Sequence, residues 1–220
     1  MKEYEIKISR NHILINDGNG WLLVDTGCPS SFHESGSICL CGKSFTVSTS
    51  VMGVDADYVS GKVGERVCGL LGLNILGRFA VKFDLPAGKL TFGCSTDGLT
   101  RIPSGTKREY KYVEMTINGH LAHMLLDSGA QISYVSPFFT EGLQPVDIMI
   151  DFSPLLSEDT FKTPIFEFPA TFAGNDFTMQ AGHLPVELER QVSGLGFNGA
   201  VGFEVLSRFP LVIADGCVWV

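Results

Sequence analysis

The chain has 220 residues, 45% hydrophobic and 18% charged, so it is long enough to bury a core and too apolar to be disordered. Its formal net charge of −8, with no basic cluster longer than Lys107–Arg108, argues against nucleic acid and anionic membranes as partners. No apolar run reaches the length of a membrane span and the charged N-terminus lacks a signal-peptide pattern, so we expect a cytoplasmic protein.

Short alternating or apolar runs recur along the chain and predict β-strands. In chain order, they cover residues 4–9, 12–15, 21–24, 44–49, 79–83, 89–92, 111–117 and 121–126. Turn signals rich in Gly, Asn, Asp and Pro separate them at residues 17–20, 86–88 and 118–119. A helical period occurs only near residues 73–79 and 186–193. The pattern therefore predicts an all-β fold with few short helices.

Three segments of the first half recur in the same order in the second half. Residues 21–27 match residues 122–129, with Asp127 at an offset of 102 from Asp25. Residues 41–47 match 173–179 at an offset of 132, and residues 69–79 match 199–209 at an offset of 130. We therefore predict two homologous lobes, residues 1–97 and 110–220. Residues 98–109 have the composition of a linker between them.

The offset rises from 102 to 132 between the first and second matches, so the second lobe carries an insertion of 30 residues. This insertion lies within about residues 136–169 and contains two apolar stretches, 149–152 and 160–166. The polar stretch between them reads as a turn. We predict a long hairpin at about residues 147–168.

Each lobe has a carboxylate that follows three apolar residues and precedes a hydroxyl residue and a glycine. This pattern places Asp25 and Asp127 at the ends of buried strands, where the glycine allows a tight loop. In symmetric lobes the two carboxyl groups would meet, and because like charges in contact cannot both ionise, the pair would share one proton. Thr26 and Ser128 could each brace the opposite loop.

These motifs resemble those of the pepsin and retropepsin superfamily of aspartic peptidases. Asp25-Thr26-Gly27 and Asp127-Ser128-Gly129 match the catalytic triplet of that family, and Leu70-Leu71-Gly72 and Ala200-Val201-Gly202 match its second apolar element. The resemblance implies two β-barrel lobes related by a pseudo-two-fold axis and an aspartic endopeptidase activity. It also implies the following roles: catalytic Asp25 and Asp127, loop support from Thr26, Gly27, Ser128 and Gly129, and psi-loop glycines Gly72 and Gly202.

The resemblance further implies a peptide or protein substrate, a monomer, and no metal or organic cofactor. Pepsin-type enzymes carry their substrate-covering flap in the first lobe, whereas here the inserted hairpin lies in the second. We expect this hairpin to be the flap, and its candidate substrate contacts are Phe152, Leu155, Leu156 and Phe161. Cys28 and Ala130 replace the hydroxyl residues that usually follow the glycines, which predicts a less acidic carboxyl pair and activity at mildly acidic to neutral pH.

Three alternatives remain at this point. The two aspartates could be ordinary turn residues, although the matched pair argues against it. The fold could also persist in a peptide-binding module that has lost catalysis. A third possibility is a processing peptidase that is specific for one endogenous partner.

Overall fold

The computed structural model describes residues 1–156 and 160–220. Its strands in chain order are β1 Lys2–Ser9, β2 His12–Asn16, β3 Trp21–Val24, β4 Phe32–His33, β5 Ser37–Leu40, β6 Lys43–Thr46, β7 Gly69–Leu71, β8 Val81–Asp84, β9 Lys89–Phe92, β10 Ser104–Lys107, β11 Tyr110–Ile117, β12 His120–Leu126, β13 Ser133–Val135, β14 Asp147–Phe152, β15 Thr160–Phe172, β16 Asn175–Gly182, β17 Gly199–Val201, β18 Leu211–Ala214 and β19 Cys217–Trp219. The helices are α1 Ala56–Val63, α2 Leu73–Leu76, α3 Val186–Gly194 and α4 Phe203–Arg208, with a 3₁₀ turn at Pro137–Thr140.

Two large mixed sheets make up most of the molecule. The first has nine strands in the order β19-β18-β8-β9-β1-β2-β3-β7-β4, and the second has eight in the order β10-β11-β12-β17-β13-β16-β15-β14. An additional pairing between β11 and β15 curls the second sheet into a half-barrel. The prediction of a mainly β protein with few short helices is confirmed.

The predicted strands are present, with ends that differ by at most three residues. The helix expected near residues 73–79 is shorter than predicted, since α2 ends at Leu76. The sequence reading missed α1, although Asp55 caps its first turn and Gly64 ends it in the left-handed conformation. None of the helices in the described residues is long and apolar enough to cross a membrane.

The matched segments of the two halves form the same pairings. Strand β3, which precedes Asp25, pairs in parallel with β7, and β12, which precedes Asp127, pairs in parallel with β17. The second matched segments are hairpin turns in which Cys41–Gly42 and Ala173–Gly174 have positive φ. Two successive positive φ angles are typical of the tight turns that suit the twist of a hairpin.

The C-terminal strands join the two halves. Strand β18 pairs with β8 of the N-terminal half, so β18 and β19 extend the nine-stranded sheet. Strand β10 lies entirely within the segment that we predicted as a linker, and Arg101 of that segment forms a β-bridge with Trp219. One large buried cluster contains residues from both halves, including Phe83, Phe92, Phe168 and Phe172.

The predicted insertion forms an antiparallel hairpin of β14 and the first part of β15. Its register pairs Asp147 with Ile165 and Phe152 with Thr160. Residues 157–159 of this predicted hairpin lie outside the described residues. The hairpin of the N-terminal half, β5 and β6, has only four residues in each strand, and its turn matches the one between β15 and β16.

Candidate active site

Asp25 and Asp127 come together between the two halves. Each follows the last residue of a buried strand, and the amide nitrogen of each donates to the neighbouring parallel strand, β7 or β17: Asp25 to Leu71 O at 3.0 Å and Asp127 to Val201 O at 2.9 Å. A Cβ atom on Gly27 would collide with the Asp127 carboxyl, and one on Gly129 would collide with that of Asp25. Glycine at these two positions therefore allows each loop to approach the opposite carboxyl group.

The hydroxyls of Thr26 and Ser128 brace the two loops across the interface. Thr26 Oγ1 donates to Leu126 O at 2.7 Å, and Ser128 Oγ donates to Val24 O at 2.8 Å. Each hydroxyl also accepts the amide proton of the other residue, at 3.0 Å from Thr26 N and 2.9 Å from Ser128 N. Both side chains are almost fully buried. These four bonds fix the two loops relative to each other.

Gly72 and Gly202, which directly follow β7 and β17, pack against the two aspartate loops. The amide of Gly72 donates to Ser31 Oγ at 2.8 Å, and the amide of Gly202 donates to Ser133 Oγ at 3.1 Å. A Cβ atom on either glycine would collide with backbone of the adjacent aspartate loop. The same amide-to-serine hydrogen bond and the same close approach of a glycine to the aspartate loop therefore occur in both halves.

The two carboxyl groups lie next to each other between the two loops and differ in environment. Burial raises the pKa of Asp25, while bonds from the amides of Gly27 (2.8 Å) and Cys28 (2.9 Å) to its Oδ1 oppose that rise. Burial and the neighbouring charge of Asp25 raise the pKa of Asp127 well above its ordinary value. Burial and the mutual repulsion of the two carboxylates therefore favour one bound proton in the pair.

Cys28 lies beside this carboxyl pair without being activated. Burial, and next the charge of Asp25, raise the pKa of its thiol to about 12. The thiol donates to Ser30 O at 3.2 Å. A thiol with this pKa is not ionised near neutral pH, so Cys28 lines the site without being an activated nucleophile.

The side chain of Phe152, at the end of β14, contacts the N-terminal half. Its ring centroid lies 5.8 Å from that of His12 and 6.5 Å from that of Tyr58 in α1. Lys62 Nζ of the same helix lies 5.7 Å from the centre of the Phe152 ring. The inserted hairpin of the C-terminal half therefore contacts the N-terminal half through an aromatic cluster.

A buried carboxylate holds the hairpin on its own half. Asp151 is 6% exposed and accepts hydrogen bonds from Tyr134 Oη and Gln131 Nε2, as well as from the amide of Phe152 at 2.8 Å. Gln131 and Tyr134 both follow the Asp127 loop. This network links the position of the hairpin directly to the loop that carries Asp127.

The other three hairpin candidates have different surroundings. Leu155 is 47% exposed, Leu156 is half-buried, and the ring of Phe161 lies 6.1 Å from that of Tyr134. Beside the base of the hairpin is a cavity of about 540 Å³. Its lining includes Asn11, Gln131, Ile132, Ile148, Ile165 and Glu204.

The sequence reading missed the Asp151 network and His12. Asp151 is a single carboxylate within the apolar run Met149-Ile150-Asp151-Phe152, and that placement is a usable signal for a buried, bonded group. His12 is fully buried, and neither ring nitrogen has a hydrogen-bond partner among the described residues. Nothing in the local sequence distinguishes His12 from an ordinary residue near a turn.

In comparisons with known proteins, no family model and no curated protein matched this sequence.

Proposed function

We propose that the protein is an aspartic endopeptidase whose two halves are homologous β-barrel lobes related by a pseudo-two-fold axis. The observation that carries the proposal is the symmetric contact of Asp25 and Asp127. Each is presented by a hydroxyl-glycine loop, and both loops are locked by reciprocal hydrogen bonds. Turn aspartates with no catalytic role need neither a partner carboxyl nor this bracing.

The carboxyl pair supplies both an acid and a base to a peptide bond. Ionised Asp25 would accept a proton from a water molecule, whose oxygen attacks the scissile carbonyl carbon. Protonated Asp127 would donate its proton to the carbonyl oxygen, giving a neutral tetrahedral intermediate. Collapse of that intermediate transfers a proton to the leaving nitrogen and restores the shared proton.

The hairpin of β14 and β15 serves as the flap in this proposal. It reaches from the C-terminal half to α1, and the Asp151 network anchors it next to the Asp127 loop. A lid that closes over the carboxyl pair would exclude water and hold an extended peptide. The cavity at its base would accept a substrate side chain.

We expect a bell-shaped dependence of kcat/KM on pH. Activity needs Asp25 ionised and Asp127 protonated, and the raised pKa of Asp127 keeps its proton in place above the ordinary carboxyl range. The optimum should therefore be mildly acidic to neutral. A strongly acidic optimum in the pH–rate profile would contradict this assignment.

Cleavage of a diverse peptide library, read by mass spectrometry, tests the proposal. Wild type should cleave a subset of peptides, and Asp25→Asn should abolish that cleavage because Asn cannot act as a base. Asp215→Asn is the matched control, because Asp215 is exposed and has a positive φ that Asn tolerates. No cleavage by wild type, or equal cleavage by Asp25→Asn, would favour a catalytically inactive binding module.

A further inference from the structure

We infer that His12 and Phe152 form a pH-sensitive latch, which holds the inserted hairpin on the N-terminal half while His12 is neutral and releases it when His12 binds a proton. His12 begins β2 in the N-terminal half, and Phe152 ends β14 in the hairpin. The latch joins the two halves without using either residue of the carboxyl pair. Its response to pH therefore does not depend on the proposed peptidase activity.

The imidazole of His12 is buried without a hydrogen bond. The residue is 0% exposed, and neither Nδ1 nor Nε2 has a partner of hydrogen-bond geometry among the described residues. A neutral imidazole tolerates such surroundings better than an imidazolium does, because burying an uncompensated charge costs far more than burying an unpaired polar group. Proton binding at His12 therefore opposes its burial.

The hairpin contributes the ring of Phe152 to these surroundings. The ring centroid of Phe152 lies 5.8 Å from that of His12, with 35° between the ring planes. Tyr58 and Lys62 of α1 contact the same phenylalanine ring. Because Phe152 belongs to the hairpin and His12 does not, movement of the hairpin away from α1 would remove this ring and open the imidazole to water.

Charged and polar groups from each neighbouring element act on His12. Burial is the largest influence and lowers the pKa of the imidazole, and the positive charge of Arg10 lowers it further. The charge of Asp151 in the hairpin and the backbone of Ser9 and Arg10 act in the opposite direction. On α1, Lys62 Nζ lies 5.7 Å from the centre of the Phe152 ring and adds a positive charge on that side. The net result is a lowered pKa for His12.

The direction of the latch follows from this lowered pKa. With the hairpin in place, His12 binds a proton less readily than an imidazole in water, whose pKa is about 6.5. With the hairpin displaced, the imidazole regains that ordinary pKa. The open form therefore binds more protons in mild acid, and each pH unit below about 6.5 favours it by up to about tenfold. At higher pH both forms are neutral, and the hairpin stays closed.

One consequence for catalysis rests on the proposed function. If the hairpin is the flap, the latch keeps it closed near neutral pH and opens it in mild acid. The ionisation of His12 would then affect KM more than kcat, in addition to the two ionisations of the carboxyl pair.

An NMR titration of the histidine ring protons in the full-length protein tests the contact. His12→Phe assigns the His12 signal by its loss. In wild type His12 should titrate below the ordinary imidazole pKa, and in Phe152→Ala the midpoint should move up toward about 6.5. Leu155→Ala is the matched control, because Leu155 is an exposed hairpin side chain, and it should leave the midpoint unchanged. An equal midpoint in wild type and Phe152→Ala would overturn the inference.

Hydrogen exchange in the β14 amides, corrected for the intrinsic effect of pH on exchange, shows whether proton binding moves the hairpin. Protection in wild type should fall by up to about tenfold between about pH 7.5 and 5.5. It should stay constant in His12→Phe, which keeps a ring beside Phe152 but cannot bind a proton. Neither this measurement nor the titration needs a peptide substrate, so their outcome is separate from that of the cleavage assay.

Other groups that titrate in this range are present in both proteins. Burial shifts the pKa of Asp127, Glu204 and His183 as well, and their effects cancel when wild type is compared with His12→Phe. His12→Gln is a second variant without a titrating ring, and circular dichroism checks that both variants are folded. A fall in protection that is equally large in wild type and in these variants would contradict the latch.

Discussion

Asp25 and Asp127 lie in similar loops but have different electrostatic surroundings. Asp25 Oδ1 accepts amide protons from Gly27 and Cys28, and the amides of Gly129, at 3.0 Å, and Ala130 stabilise the carboxylate of Asp127. Amide donors favour the ionised form of both residues, whereas the charge of Asp25 raises the pKa of Asp127, which suits Asp127 to act as the acid. The sequence predicted that the two residues meet, but not which of them keeps the proton, because that depends on contacts between the loops.

Asp127→Asn should stabilise the protein at neutral pH. In the unfolded chain Asp127 ionises at an ordinary carboxyl pKa, whereas in the folded protein its raised pKa keeps the proton bound. Wild type therefore loses stability relative to the variant as pH rises from the unfolded pKa to the folded one, by about 1.4 kcal/mol per pH unit.

Urea unfolding of both proteins between about pH 4 and 7 measures this difference. The other titrating groups are present in both proteins, so their contributions to the free energy of unfolding largely cancel in the difference. Asp25 is the exception, because its neighbour differs between the two proteins. A difference that stays constant or shrinks as pH rises would show that Asp127 is ionised in the folded state.

Thr26→Val should destabilise the protein by about 2–6 kcal/mol. Valine keeps the shape of threonine but removes the donor to Leu126 O and the acceptor for Ser128 N, and each unsatisfied buried group costs about 1–3 kcal/mol. Thr178→Val is the control, because Thr178 is exposed on β16, and it should change the free energy of unfolding by less than about 0.5 kcal/mol. Equal losses in chemical denaturation would argue against the bracing role.

At the scale of elements, the inserted hairpin distinguishes the two halves. The jump in the repeat offset predicted its position, because an insertion is visible in sequence spacing alone. Its contacts could not be predicted in this way. The Tyr134–Asp151 bond joins residues 17 apart in the chain, and the contact between Phe152 and His12 joins different halves.

Phe152→Ala should loosen the hairpin without unfolding the protein. Loss of the ring removes the contacts with His12, Tyr58 and Lys62, while the Asp151 network stays in place. Hydrogen exchange should become faster in the amides of β14 and the first half of β15, and KM for a cleaved peptide should rise more than kcat falls.

Leu155→Ala provides the comparison for this variant, because Leu155 is 47% exposed at the hairpin end. It should leave exchange in β14 unchanged. If Phe152→Ala leaves hydrogen exchange unchanged as well, the aromatic cluster does not hold the hairpin.

At the scale of the whole molecule, the two halves share a sheet as well as a site. Strand β18 of the C-terminal end pairs with β8, and the carboxyl pair needs a loop from each half. The equivalent strand pairings of the two halves could be expected from the sequence because three segments repeat in order. The shared sheet could not, because it joins segments with no common local pattern, whereas α1 has local cap signals at Asp55 and Gly64 that the sequence reading missed.

The central claim is that Asp25 and Asp127 act as one catalytic unit. Steady-state cleavage of the best library peptide by wild type, Asp25→Asn, Asp127→Asn and the double variant tests it most directly. Residues that act as a unit are strongly non-additive, so each single variant should lose at least about 10³-fold in kcat/KM and the double variant should be no slower than either. Substantial cleavage by one single variant, or multiplied losses in the double variant, would contradict a shared two-aspartate site.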